Sequence, residues 1–315
     1  MTVPGGRVVC AALNLALDIT YISDHFVVGE ANRVSQVRAQ AGGKAVNVAR
    51  LLQQAGHEVV ITGFAGGLVG EEIAHQLDEW AVPHCLVRCA ASSRRTVSAF
   101  SVQDAAVTAY NESGPPIAAA EWEQFTEGFG KLLHDARLVV LSGSLPAGLP
   151  RDAYRTLAGL AAGAGCETFV DTHAAPLLAA VAAKPALVKP NEHELAEAAG
   201  LTVPVPLPAA VQAARRLLDA GAQAVVVTLG PRGLLGVLPG MSLLATPPRQ
   251  RGNPVGAGDA AFAALAEGHL AGQPWPDRLR RAAAMSAAAV RQPVAGMVRA
   301  EDVAELEALT EVSEP

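Results

Sequence analysis

The sequence has little that would suit nucleic acid. Its 315 residues carry 24 Lys and Arg against 30 Asp and Glu, a formal net charge of −6, and no basic run extends beyond the pairs Arg94-Arg95, Arg215-Arg216 and Arg280-Arg281. Phosphate backbones are held by clustered cations, so no nucleic-acid partner is expected and any small anionic ligand must be met by a few local charges. Long apolar runs are missing as well. Nothing approaches the roughly 18 consecutive apolar residues of a membrane span, and Met1 to Arg7 lacks the apolar stretch of a secretion signal. The expectation is a cytoplasmic protein with no membrane contact. The four cysteines, Cys10, Cys85, Cys89 and Cys166, show no CxxC spacing and read as reduced structural thiols. His193-Glu194 is not followed by a histidine at the HExxH spacing, so no protein-bound zinc is expected.

Aromatic residues make up only 4% of the chain while half of it is apolar, a balance that suits close helix-on-sheet packing. The length favours one α/β domain with an appendage, spanning 1–315. Short β-branched runs, Arg7 to Leu13, Glu58 to Thr62, Leu138 to Leu141, Thr168 to Asp171 and Ala224 to Thr228, alternate with Ala/Leu-rich segments at helical period. The spacing predicts helices over 43–55, 70–80, 120–134, 151–164, 192–199, 208–220, 257–271 and 277–291. Such alternation implies a parallel sheet covered on both faces. Two stretches, 17–38 and 94–111, break the rhythm with polar-alternating strands (Asp18 to Tyr21, Arg33 to Val37, Thr96 to Val102, Val107 to Asn111). They are expected to form a small separate sheet, a lid over the strand C-termini where open α/β sheets bind ligands.

Chemistry concentrates in glycine turns. Asn253-Pro254-Val255-Gly256-Ala257-Gly258-Asp259 opens an Ala-rich helix. Glycines admit a ligand close to the backbone, and a helix start attracts an anion such as a transferring phosphoryl group. A carboxylate beside that phosphate is no phosphate ligand, but it can take the proton of an attacking hydroxyl. Asp259 therefore reads as a general base or, more simply, as a helix cap. Ala41-Gly42-Gly43-Lys44-Ala45-Val46-Asn47 is a second glycine-to-helix turn. It is not a P-loop, because Arg38 and Ala45 stand where the Walker pattern needs glycine and Ser/Thr. Lys44 and Asn47, three residues apart, share a face that suits one polyol or phosphate, or are a surface lysine and a capping amide. Gly63 to Gly70 misses the GxGxxG register and reads as a packing turn. The segments Leu141 to Pro146, Val188 to Glu194 and Thr228 to Gly233 each follow a strand and so lie at the ligand edge.

In this order, Gly42-Gly43-Lys44 with Asn47, Ser142-Gly143-Ser144-Leu145-Pro146, Lys189-Pro190-Asn191 with Glu194, and Gly256-Ala257-Gly258-Asp259 resemble the ribokinase-like, or PfkB, carbohydrate kinases over nearly the whole chain. Leu13 to Asp18 looks like the opening of their 1-phosphofructokinase and tagatose-6-phosphate kinase branch, with Leu15 where proline is usual. The resemblance implies a three-layer α/β fold with a β-lid, ATP and Mg2+ as cofactors, and Asp259 as base. It implies a sugar-phosphate site of Asp18, Gly42, Gly43, Lys44, Asn47 and Ser144, with Arg33 and Arg95 of the lid as phosphate receptors. Val97 departs from the polar residue common two positions after that arginine. On the nucleotide side it implies Lys189, Asn191, Glu194, Thr228, Gly230 and Gly233, with Glu194 supporting the magnesium network and Gly256, Ala257 and Gly258 forming the anion hole. The expected reaction is ATP-dependent conversion of fructose 1-phosphate to fructose 1,6-bisphosphate by a homodimer paired through its lids. Tagatose-6-phosphate kinase, fructose-6-phosphate kinase, nucleoside kinase and a catalytically silent sugar- or nucleotide-binding regulator are the alternatives.

Overall fold

The computed structural model describes residues 6–104 and 106–315. The first strand, β1 (Arg7–Ala12), alternates cleanly: Val8 and Cys10 enter one core cluster while Val9 and Ala11 enter another. Both faces of the strand are buried, which is why it reads as a continuous apolar run. The chain then leaves the core for β2 (Ala16–Ser23) and β3 (Gln36–Gly42), and re-enters through α1 (Lys44–Gln54), β4 (Val59–Ala65), α2 (Gly67–Glu79) and β5 (His84–Arg88). A second excursion, β6 (Arg94–Ser101) and β7 (Ala106–Asn111), joins the first to make a four-stranded sheet ordered β3-β2-β6-β7.

Classical βα alternation follows in α3 (Ala119–Leu132), β8 (Ala136–Ser142), α4 (Ala153–Gly163), β9 (Glu167–Asp171), α5 (Ala174–Val181), β10 (Leu187–Val188), α6 (Glu192–Ala199), α7 (Leu207–Asp219) and β11 (Val225–Thr228). An antiparallel pair, β12 (Leu234–Leu238) and β13 (Met241–Thr246), precedes α8 (Ala257–Leu270), α9 (Trp275–Val290), α10 (Ala300–Leu309) and the edge strand β14 (Glu311–Ser313). The large sheet runs β14-β13-β12-β11-β10-β9-β8-β1-β4-β5.

Val46, Ile73, Phe262, Leu279 and Leu306 bring α1, α2, α8, α9 and α10 onto one face. Phe125, Tyr154, Leu177, Leu195 and Leu217 bring α3 to α7 onto the other. This is the expected three-layer arrangement with an added small sheet. Three details differ. The sheet is parallel only from β5 to β11, and its other end is antiparallel. The second small-sheet strand begins at Gln36, leaving Arg33 in an exposed loop. The helices α5 and α10 are additional to those expected; Pro176 inside α5 interrupts its local helical signal.

Candidate active site

The C-terminal ends of β1, β8 and β9 and the starts of α1, α6 and α8 open into one cavity of about 750 Å³ roofed by the small sheet. Its floor holds Asp259, only 6% exposed. Asp259 lies in the first turn of α8 but does not cap it: the N-cap is Gly256, at φ 83°, with no side-chain cap bond. The capping alternative is thereby removed. Asp259 Oδ2 instead accepts a 2.8 Å hydrogen bond from Asn47 Nδ2 on α1. Asn47 does not cap a helix either, since Gly43 takes that place on α1.

Around this carboxylate stand two lysines and a second acid. Lys44 Nζ donates to Asp171 Oδ1 at 2.8 Å and to Glu194 Oε1 at 3.3 Å. Lys189 Nζ lies 3.0 Å from the other Asp171 oxygen, and a β-carbon on Gly258 would lie 3.5 Å from that ammonium. Lys189 thus sits directly over the opening of α8. The wholly buried Asp171 bridges two cations contributed by distant segments. Burial alone would raise the Asp171 carboxyl, yet Lys189 and Lys44 hold it below the usual carboxylate range. Burial works against the Lys44 ammonium, but Asp171, Glu194 and Asp259 outweigh it and raise its pKa. Asp259 moves the opposite way from Asp171: burial, reinforced by the charge of Asp171, pushes it up to about 7 against the pull of Lys44, Asn47 and Lys189. Two neighbouring carboxyls are thus driven in opposite directions from their ordinary range.

The first turn of α6 is held by reciprocal hydrogen bonds, Glu194 N–H to Asn191 Oδ1 at 2.9 Å and Asn191 N–H to Glu194 Oε2 at 2.8 Å. Glu194 therefore turns only its other oxygen to Lys44. A second cavity, of about 800 Å³, lies beside the opening of α8. Gly230, Gly233 and Ala257 line it, together with the apolar surfaces of Pro231, Pro247, Ala287 and Val290. The first cavity takes Gly256, Gly258 and Asp259. The GAGD turn thus reaches both spaces, an arrangement suited to a donor on one side and an acceptor on the other.

The family model described as pfkB family carbohydrate kinase matches residues 8–299. The chain belongs to this family. A 1-phosphofructokinase of Xanthomonas campestris is 39% identical over 267 residues, covering 82% of this chain and 83% of that protein. A 1-phosphofructokinase of Vibrio cholerae is 33% identical over 309 residues, covering 98% and 96%. Among solved structures, phosphofructokinase-2 from Escherichia coli in complex with fructose-6-phosphate superposes with a TM-score of 0.86 at 26% identity, covering 96% of this chain and 98% of the other.

In this pfkB kinase, Asp18, Gly43, Lys44, Asn47, Ser144, Lys189, Asn191, Glu194 and Thr228 all line the first cavity. Gly42 serves it from beneath, because a β-carbon there would lie 2.0 Å from Asp18 Oδ2. Glycine lets that carboxylate reach the Gly43 N–H at 3.3 Å. Burial raises the Asp18 pKa, although Gly43, Arg94 and Thr96 draw it down.

The two lid arginines require correction. Arg33 is exposed in the β2–β3 loop, and Arg95 is exposed on β6; neither lines the cavity. In the parallel register Asp18 pairs with Thr96, while Leu17 pairs with Arg95. Side chains alternate between faces, so Asp18, Thr96 and Arg94 face inward and Arg95 faces out with Val97. Arg94 is the lid arginine that lines the cavity, its Nε donating to the Asn14 carbonyl at 3.1 Å. Asn14, which donates to Ser144 Oγ at 2.9 Å, Arg94 and Asp171 escape a reading from sequence. Asn14 left a signal only as part of the Leu13 to Asp18 opening, and Asp171 as an acid at the end of a strand that leads to the ligand edge.

Proposed function

We propose that the chain transfers the γ-phosphoryl group of ATP to fructose 1-phosphate, giving fructose 1,6-bisphosphate and ADP. Two long-spanning relatives carry the name of that activity, and the carrying observation within the chain is Asp259, buried beneath two lysines on a turn shared by two cavities.

On this reading the nucleotide base occupies the apolar slot beside Pro231 and Val290, and its phosphates reach the opening of α8. Amides in the first turn of a helix carry roughly half a positive charge between them. With Lys44 and Lys189 they form an anion cradle for the transferring group. The sugar phosphate lies under the lid against Asp18, Asn14, Ser144 and Arg94. Asp259 takes the proton of the acceptor hydroxyl. That oxygen forms its bond to the γ-phosphorus as the bond to the β–γ bridging oxygen breaks, and ADP leaves with the electron pair. Among the described residues, no cluster of three or more His, Cys, Asp and Glu is placed to hold a metal. A Mg2+ ion entering with ATP would be held mainly by phosphate oxygens and water, as this ion commonly is, with Glu194 nearby. Such an ion would neutralise charge on the phosphates.

The outer lid face supports a homodimer. Val37 and Tyr110 are 60% and 64% exposed there, and the strand pairing sets them on one surface with Tyr21 and Val97. We place the enzyme in the cytoplasm. Among the described residues, no helix is long and apolar enough to cross a membrane.

The test is turnover of purified protein with Mg2+ and ATP on fructose 1-phosphate, fructose 6-phosphate, tagatose 6-phosphate and a nucleoside. The expected result is the highest kcat/KM on fructose 1-phosphate. A higher value on another acceptor would overturn the substrate, and turnover of none would overturn the kinase reading.

A further inference from the structure

Helix α1 carries a third polar side chain beside Asn47. Lys44, Asn47 and Arg50 follow one another at intervals of three and so lie along one side of the helix. Lys44 reaches Asp171 and Asn47 reaches Asp259; nothing in the mechanism above uses Arg50. Its guanidinium carbon lies 3.8 Å from the centroid of the Trp80 ring, at the end of α2. Stacking of this kind fixes the plane of the fork.

Two buried polar atoms lack a hydrogen-bond partner among the described residues at this point: Nη1 of Arg50 and Oδ1 of Asn47. One is a donor and the other an acceptor, and both face the same spot. A β-carbon built on Gly296 would lie 2.9 Å from Asn47 Oδ1 and 3.3 Å from Arg50 Nη1. Gly296, at φ 73°, belongs to the loop behind the anion hole, where a β-carbon on Gly256 would lie 2.5 Å from that of Ala295.

A side-chain amide has a donor end and an acceptor end. The donor end of Asn47 meets the Asp259 carboxylate, and its acceptor end borders the same space beside Gly296 as Nη1 of Arg50. Reversed, the amide would set oxygen against a carboxylate and N–H groups against a cation, unfavourable at both ends. Resting on the reading of Asp259 as base, we infer that Arg50 is a positioning residue: its guanidinium, facing Oδ1 of Asn47, holds the amide with Nδ2 toward Asp259 and so keeps that carboxylate aimed at the acceptor hydroxyl.

A double-mutant cycle tests this. Steady-state kinetics are measured across pH for wild type, Arg50→Met, Arg50→Lys, Asn47→Ala and the Arg50→Met/Asn47→Ala pair. Arg50→Met is expected to lower kcat about tenfold, to leave the KM of both substrates within about twofold, and to move the acidic limb of kcat upward. Arg50→Lys should recover most of kcat. In the Asn47→Ala background, Arg50→Met should change nothing further, because the side chain through which it acts is gone. An equal loss in both backgrounds, an unchanged kcat or an effect confined to KM overturns the proposal. If circular dichroism finds Arg50→Met unfolded, Arg50→Gln takes its place in the same cycle with the same expected outcomes. Asp259→Asn in the same assay distinguishes the two levels: undiminished turnover there removes the base, and the role of Arg50 with it.

Discussion

Asp259 and Asp171 are chemically identical side chains buried in one cavity, and their surroundings drive them apart. Asp171 lies in contact with two ammonium groups; Asp259 has an amide, a like charge nearby and little water. Asp259 acting as the proposed base must be deprotonated, so kcat/KM should rise with pH through about 7 and then level off. Asp259→Asn should remove that limb and lower kcat by roughly 10²- to 10⁴-fold with little change in ATP affinity. A pH–rate profile beside nucleotide titration of the variant checks both. Stability carries the opposite sign. The folded pKa lies above the unfolded one, so the contribution of this carboxyl is fully present below the unfolded value near 4 and is lost as pH rises to about 7. Urea melts from pH 4 to pH 8 should show that decline in the wild type and a smaller one in Asp259→Asn.

At the level of elements, β6 shows how one residue of register decides a site. Arg94 and Arg95 are equivalent in any local reading, since both are cations at the start of a polar-alternating strand. Pairing with β2 separates them, placing Arg94 on the side of Asp18 and Arg95 on the side of Leu17. Arg94→Ala should raise the KM for sugar phosphate about tenfold or more, the weight of one charge-assisted hydrogen bond. Arg95→Ala should leave it within about twofold, and steady-state kinetics on the pair separates the two positions. The same logic marks the limits of periodicity. Helices α1, α3 and α7 have strong repeats, α8 is marked by its glycine turn and Ala-rich run, and the extents of all four were legible to within a few residues. Short α5 carries proline in its first half, and the antiparallel turn from β11 into β12 and β13 follows from pairing across the sheet edge, which no local pattern reports.

At the level of the whole molecule, the small sheet faces two ways. Its inner side roofs the first cavity with Asp18, Arg94 and Thr96, and its outer side presents Val37 and Tyr110 to solvent. An exposed apolar sheet face is a common site of association, and a second copy would cover it with the same residues across a two-fold axis. Val37→Asp with Tyr110→Asp should convert a dimer to a monomer in analytical ultracentrifugation; wild type sedimenting as a monomer, or a variant that remains dimeric, removes the lid interface. Because closed lids exclude water from phosphoryl transfer, the monomeric variant should also release more phosphate from ATP without a sugar acceptor.

The sequence alone determined the alternation of buried strands and helices, the two interrupting strand pairs and the order of glycine turns, because each of these is written in neighbouring residues: a period, a helix opening or a turn. Those turns already singled out Asp259, Lys44, Asn47 and Lys189. Tertiary structure decided what joins them. Lys44 meets Asp171 across 127 positions and Asn47 meets Asp259 across 212, while strand register chooses Arg94 over Arg95. Which face a side chain takes depends on the strand beside it, and the charge an acid carries depends on the cations folded against it; both are properties of contacts between distant segments, set only when the sheet and its helices come together.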